Sequence, residues 1–234
     1  MSEHLFSNSE FFIDYFFYND FWPDFLFVND YSILVIAWNI MLIFIPWGLA
    51  IFIFKYWRKN KLKKIYQKLI ASFIFLLWLF FIPNAAYIIT DVRHLLNFCP
   101  ANSYFHVCSA NAWQIMLFFI YALVGWVAFV LLLRQMKAYI IKIKNKRVSE
   151  IFIWLVIPLI SFGVLLGLLE RWNSWDLFIY PWEILESMLK FITDFDYLKN
   201  WLFFTVSLYI LYFGGDWLFK KKFPPKADSC LPTA

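Results

Sequence analysis

The chain has 234 residues, of which 63% are hydrophobic and 24% aromatic, whereas only 16% are charged. A soluble domain is about 45–50% apolar and about 25% charged, so a water-soluble fold of this length could not enclose so much apolar surface. The same composition excludes intrinsic disorder, a collagen-like repeat and a disulfide-rich secreted scaffold. Together with a mean hydropathy of +0.65, it indicates an integral membrane protein.

Five apolar stretches are long enough to cross a hydrocarbon core, which takes about 20 residues of helix. Only the last of them is interrupted by a charge, Asp216, which lies one turn from its end. We therefore predict an all-α integral membrane protein with five transmembrane helices, at residues 31–54, 69–89, 112–133, 151–169 and 201–219.

Two further segments are apolar but unsuited to crossing the membrane. Residues 11–28 mix aromatic and acidic side chains, which is typical of a segment lying in the interface. At residues 182–192, Pro181 can open a helix. This helix would carry one apolar stripe opposite Glu183, Glu186 and Lys190; the stripe is formed by Ile184, Leu185, Met188, Leu189 and Ile192. We predict short interfacial helices on the outer face of the membrane.

The basic residues predict the orientation. Seventeen of the 21 Lys and Arg residues lie in the linkers at 55–68 and 134–150 and in the tail after the fifth span. The positive-inside rule makes these segments cytoplasmic. The predicted organisation is an acidic and aromatic outer segment (1–30), a five-span membrane domain (31–219) and a cytoplasmic basic tail (220–234), in the plasma membrane.

The net charge of +5 does not indicate nucleic acid as a partner, because the basic residues lie next to the spans. Anionic membrane lipids explain such juxtamembrane runs better. The expected partners are membrane lipids, with a homo-oligomer or a membrane partner protein as further alternatives.

The three cysteines leave their chemistry open. Cys99 and Cys108 both fall in the outer loop at 90–111, where either a disulfide or two free thiols fits the spacing. Cys230 lies in the cytoplasmic tail. No nucleotide-binding, hydrolase or metalloprotease motif occurs, so the sequence leaves any cofactor or metal undetermined.

Polar residues gather where the second span reaches the outer face. Asn84, Tyr87, Asp91 and His94 are spaced three, four and three, which places them on one face of a helix. Pro83 weakens the helix at this point and can free a backbone carbonyl. Buried polar groups in a membrane usually find partners, so we expect these side chains to face other polar groups.

The end of the fourth span carries a second group of residues that could meet those of the second span. Gly163 and Gly167 form a Gly-x-x-x-Gly motif, which lets another helix approach closely. The predicted polar cluster joins these two span ends with Asn39 of the first span. Its members are Asn39, Asn84, Tyr87, Asp91, His94, Arg171, Asn173 and Asp176.

Two segments resemble the signatures of a bacterial membrane family, Domain of Unknown Function 1361. The first runs from Pro83 to Leu95 and the second from Arg171 to Asp176, just after a span. The sequence around Trp38 and Pro46 resembles the first-span pattern of the family. The resemblance covers residues 31 to 220 and implies a shared membrane architecture without an established activity.

Three hypotheses about function follow. The cluster could be structural and tie spans two and four together, with Arg171 paired to Asp91 or Asp176. It could belong to an outer-leaflet enzyme that acts on a lipid or a lipid-linked substrate, with Asp91, His94, Asp176 and Glu170 as candidate catalytic residues. It could also line a cavity in a small transporter or in a subunit of a membrane complex.

Overall fold

The computed structural model describes residues 27–28, 31–60, 64–93, 112–172 and 176–222. Two short strands, β1 (Phe27–Val28) and β2 (Tyr31–Ser32), pair in antiparallel fashion before the first helix. The helices of the described residues are α1 (Ile33–Asn60), α2 (Ile65–Phe81), α3 (Pro83–Thr90), α4 (Ala112–Ile143), α5 (Lys146–Leu169), α6 (Asp176–Ile179), α7 (Pro181–Thr193) and α8 (Phe195–Lys222).

The five predicted spans are confirmed, because the described residues contain five helical stretches long and apolar enough to cross a membrane. The second stretch is made by α2 and α3 together. The first helix begins at Ile33 instead of residue 31, because β2 occupies residues 31–32. Several helices run past the predicted boundaries, as α4 does to Ile143, because Lys, Arg and Gln favour helix.

The bundle has two chemically different ends. At the Asp91 end, α1, α4 and α8 begin and α3 and α5 finish. At the basic end lie the linkers that carry most of the Lys and Arg residues. Contacts of Asn39 with Tyr121 at the first end, and of Arg134 with Asp216 at the second, show that spans one, three and five run in the same direction.

The third span, α4, is the centre of the bundle. It packs against α1, α3, α5 and α8. Its inward side chains, Phe118, Phe129, Val130 and Leu133, are fully buried. All five spans also carry large exposed apolar side chains, which is what contact with lipid requires.

Span two is broken at Pro83, as the sequence predicted. α2 ends at Phe81 and α3 begins at Pro83. The break makes α3 a separate segment, which lies between α4 and α5. A Cβ atom at residue 125 would lie 2.7 Å from Cβ of Ile88, and one at residue 163 would lie 2.8 Å from Cγ of Pro83. Gly125 on α4 and Gly163 on α5 therefore let α3 pack closely against both spans, and we call this packing site the seat of α3.

Of the Gly-x-x-x-Gly pair, Gly163 is thus one of the two glycines against α3, while a Cβ atom at residue 167 would meet Tyr87 and Trp172 only at ordinary van der Waals distances. Gly125, which no motif marked in the sequence, is the tighter seat: its missing Cβ would also lie 2.9 Å from the Ala85 carbonyl oxygen.

The charge inside the last span has a structural explanation at the basic end. The Asp216 carboxylate lies 3.5 Å from Nε of Arg134 and 2.8 Å from Nζ of Lys220. Arg134 also donates a hydrogen bond to the Asp216 carbonyl oxygen (3.3 Å). This network joins α4 to α8 at a depth where an unpaired charge would be costly.

The predicted helix at 182–192 is confirmed as α7, with Pro181 in its first turn. Its apolar stripe divides between two faces. Ile184 and Phe191 are buried against the protein together with Ser187. Leu185 and Leu189 are exposed, as is Trp182, and these side chains suit an in-plane helix whose outer side contacts lipid.

Replacing Gly125 with Ala tests the seat of α3. The added methyl group would overlap Ile88 and the Ala85 carbonyl, so we expect a loss of about 1–3 kcal/mol of stability and a lower melting temperature in detergent. The matched control is Gly48→Ala on α1, where nothing lies within 4 Å of the new Cβ. The control should keep or raise the melting temperature, since Ala favours helix. Equal shifts in both variants would contradict the packing described.

Candidate functional site

The break in span two is completed by a side chain of the predicted cluster. Pro83 has no N–H group, and the Ala85 N–H donates to the Ile82 carbonyl (3.1 Å) instead of to that of Phe81. Asn84 donates its Nδ2 hydrogen to the Phe81 carbonyl oxygen (3.0 Å). A freed backbone carbonyl in a membrane must be satisfied within the protein. Asn84 therefore has a local structural role in holding the break.

Asp91 closes α3 and points into the bundle. It is 1% exposed, although its neighbours Val92 and Arg93 are exposed. The hydroxyl of Tyr121 on α4 interacts electrostatically with Asp91 and faces Asn39 of α1. Three spans therefore bring a carboxylate, a phenol and a carboxamide together. We call Asn39, Asp91 and Tyr121 the polar core.

Two members of this region on α4 were not recognised in the sequence. Tyr121 and Gln114 are spaced by seven residues, lie on the same helix face and are both at least 95% buried. The Tyr121 hydroxyl faces Asn39 and Asp91, whereas Gln114 Oε1 makes no hydrogen bond to any residue that the structure describes. Seven-residue spacing of polar groups inside an apolar helix was the signal available in the sequence.

Tyr87, which belongs to the first signature segment, lies close to the second. Its hydroxyl accepts a hydrogen bond from Nη2 of Arg93 (3.0 Å) and also interacts electrostatically with Arg171. Its ring packs beside Gly167 and the backbone of Trp172. The two segments thus meet in space at the Asp91 end, through Tyr87.

Arg171 does not form the ion pair with Asp91 or Asp176 that we predicted. Its side chain is exposed, and it takes part in none of the four ion pairs among the described residues. Its backbone adopts the left-handed conformation (φ 58°), which ends α5 and lets the Trp172 N–H reach the Leu166 carbonyl (3.3 Å). The prediction was wrong, because Arg171 is exposed and forms no ion pair with Asp91 or Asp176 among the described residues.

Glu170, a candidate catalytic residue, is held in a second polar group that we call the Glu170 clasp. Its Oε2 atom lies 2.8 Å from Lys190 Nζ and accepts a hydrogen bond from Ser187 (3.4 Å). Its Oε1 atom accepts one from the Tyr197 hydroxyl (2.6 Å). Trp172 Nε1 donates to Ser187 (3.0 Å). The clasp joins α5 to α7 and α8, and Lys190 balances a carboxylate at a helix C-terminus, where the helix dipole disfavours negative charge.

Among the remaining predicted site residues, the structure describes Asp176 but not His94 or Asn173. Asp176 is the first residue of α6 and is fully buried. His94 and Asn173 lie outside the described residues, as do Cys99, Cys108, Cys230 and most of the segment at 11–28. A direct contact of Asp91 or His94 with residues 170–176 therefore stays a prediction. In the described ranges, no three His, Cys, Asp or Glu side chains are placed to hold a metal ion.

Replacing Glu170 with Gln tests the clasp. The change removes the ion pair and weakens two hydrogen bonds to a side chain that is only 7% exposed, so we expect a loss of about 2 kcal/mol and a lower melting temperature. Glu186→Gln is the control, because Glu186 is exposed on the same helix as Lys190. A clasp without structural importance would give equal melting temperatures in the two variants.

The comparisons with known proteins give a family. A family model described as "Protein of unknown function (DUF1361)" matches residues 38–213, which include both signature segments. No curated protein and no solved structure matches the chain. The match covers well over half of the chain, so the resemblance seen in the sequence is confirmed. The chain belongs to the DUF1361 family, whose function is unknown.

Proposed function

We propose that this chain is a multi-pass protein of the bacterial plasma membrane that binds a hydrogen-bond-donating ligand group at the outer face, in its polar core. The observation that carries the proposal is the convergence of Asn39, Asp91 and Tyr121 from three different spans. Such groups are costly to bury in a membrane and usually mark functional positions. The Tyr121 hydroxyl, which is 3% exposed, faces both the Asn39 carboxamide and the Asp91 carboxylate, so one ligand group bound there would meet all three side chains.

The chemistry of the polar core indicates the class of ligand. A carboxylate accepts hydrogen bonds and repels anions, while a phenol and a carboxamide both donate and accept. This combination favours hydroxyl groups or an ammonium group and disfavours a phosphate or a carboxylate. A sugar or an amine, free or as a lipid headgroup, meets these requirements.

The residues between the polar core and the basic end favour a binding site that opens at the Asp91 end over a transport path across the membrane. Between this level and the basic end, the described interior of spans one to three is apolar and buried, with Ile43, Trp78, Ile82 and Phe129 at successive levels. A transport path would need polar groups to continue inward. The transporter alternative therefore has less support.

The contacts of Glu170 give the enzyme alternative less support. A general acid or base must be available to a substrate, whereas the Glu170 carboxylate is occupied by Lys190, Ser187 and Tyr197. The proposal therefore assigns ligand binding to the polar core and structural stabilisation to the clasp.

The proposed orientation follows from charge. Seventeen of the 21 Lys and Arg residues belong to the basic end or to the tail beyond it, and such residues favour the cytoplasmic side. The Asp91 end then faces the outside, and α7 lies in the outer interface. A ligand would enter the polar core from that side.

Thermal unfolding in detergent with added probes tests the proposal. Methyl α-glucoside and ethanolamine supply hydroxyl and ammonium groups, and inorganic phosphate serves as the anion. We expect at least one of the first two, well above its Kd, to raise the melting temperature by a few degrees, because a ligand stabilises the state that it binds. Phosphate should have no such effect.

The rise should be lost in Tyr121→Phe and kept in Tyr212→Phe. Tyr212 is the matched control because it is also fully buried and its hydroxyl has no hydrogen bond among the described residues, but it lies towards the basic end. The proposal fails if neither probe raises the melting temperature or if both variants respond alike.

A further inference from the structure

A groove on the lipid-facing side of the bundle lies between spans one and three. Its volume is about 280 Å³. Ile43 and Leu132, both buried, form its floor, while Trp47 and Leu131 are 46% and 39% exposed at its rim. The complete lining is Ile43, Trp47, Ala128, Leu131, Leu132 and Gln135.

The groove must be filled by something apolar when the protein is in a bilayer. An empty space of this size would forfeit dispersion contacts along all of its walls. Five of the six lining residues are apolar, so water is a poor occupant. The groove opens to the lipid side, where an acyl chain can enter it.

The groove continues towards the basic end as a line of contact between α1 and α4, which we call the seam. Polar and aromatic side chains lie along it. Phe54 and Tyr139 stack with their ring centroids 4.3 Å apart, and Lys142 Nζ lies 5.6 Å from the Phe54 centroid. Gln135, at the end of the groove, donates a hydrogen bond to the Tyr139 hydroxyl (2.8 Å). The lining thus changes from apolar to polar in the direction in which a lipid headgroup would lie.

Two cations lie on α1 near the aromatic pair, Lys55 next to Phe54 in the chain and Arg58 one turn beyond it. Lys55 and Arg58 are exposed, and neither forms an ion pair with another described residue. They follow Trp47 by eight and eleven residues, which is about 12 and 16 Å along a helix. Eleven residues is three turns, so Arg58 lies on the same face of α1 as Trp47.

We propose that this seam binds an anionic glycerophospholipid in the leaflet at the basic end. One acyl chain lies in the groove, and the phosphate and the anionic headgroup lie beside Lys55 and Arg58. Charge complementarity selects the anionic lipid, because a cationic seam attracts a zwitterionic headgroup less strongly. This site is separate from the polar core, which lies at the other end of the bundle and repels anions.

Native mass spectrometry of the full chain, exchanged into equal amounts of phosphatidylglycerol and phosphatidylcholine, tests the site. We expect the wild-type chain to retain phosphatidylglycerol preferentially. The double variant Lys55→Gln, Arg58→Gln should lose at least about fivefold of that preference, which corresponds to about 1 kcal/mol. Arg147→Gln is the control, because Arg147 is also exposed at the basic end but belongs to α5.

A second variant, Ala128→Leu, fills the groove and leaves the cations in place, so it should lower retention of both lipids. Equal retention of the two lipids by the wild type would overturn the proposal. So would an equal loss in the Arg147→Gln control, which would indicate unspecific surface attraction. A dimer that Ala128→Leu abolishes would show that a second copy of the chain fills the groove instead. If Ala128→Leu does not fold, the charge variants still decide.

Discussion

The break at Pro83 is the constraint on which the rest of the Asp91 end depends. A proline inside a membrane helix removes a backbone donor and leaves a carbonyl that lipid cannot satisfy. At this break the Asn84 side chain donates to the Phe81 carbonyl, which loses its usual donor because the Ala85 N–H turns to Ile82, and the short helix beyond the break lies between Gly125 and Gly163. The break is therefore fixed by packing on two sides, and the direction of everything after it is set.

That direction separates two polar groups with different chemistry. The segment ends with Asp91 turned inward to Tyr121 and Asn39, in a group of polar side chains drawn from three spans. Glu170, at the end of the neighbouring span, meets Lys190, Ser187 and Tyr197 instead. A carboxylate held by several donors stabilises the fold, whereas polar side chains gathered from several spans inside a membrane usually mark a functional position. The division of roles between clasp and polar core follows from this difference.

Much of the fold could be predicted because the membrane limits the alternatives. Length and hydropathy predicted the five spans, and Pro181 with its apolar stripe predicted α7.

The contacts between side chains of different spans were harder to predict. Helical spacing shows that Asn84 and Asp91 share a face, but not which span lies opposite, so Tyr121 was not among the predicted residues. Gly125 stands in no motif, and only the approach of Ile88 reveals its importance. Arg171 was misassigned because a sequence does not display its left-handed backbone or the exposure of its side chain.

The most direct test of the inward turn at the end of span two compares the reactivity of adjacent cysteines. Asp91→Cys and Val92→Cys are placed separately in a chain whose Cys99, Cys108 and Cys230 are changed to Ser, and both are treated with a maleimide in detergent. Residue 91 is 1% exposed and residue 92 is 40% exposed. The cysteine at 91 should react at least about tenfold more slowly, because its reaction requires local opening. Equal rates would contradict a span that turns Asp91 into the bundle.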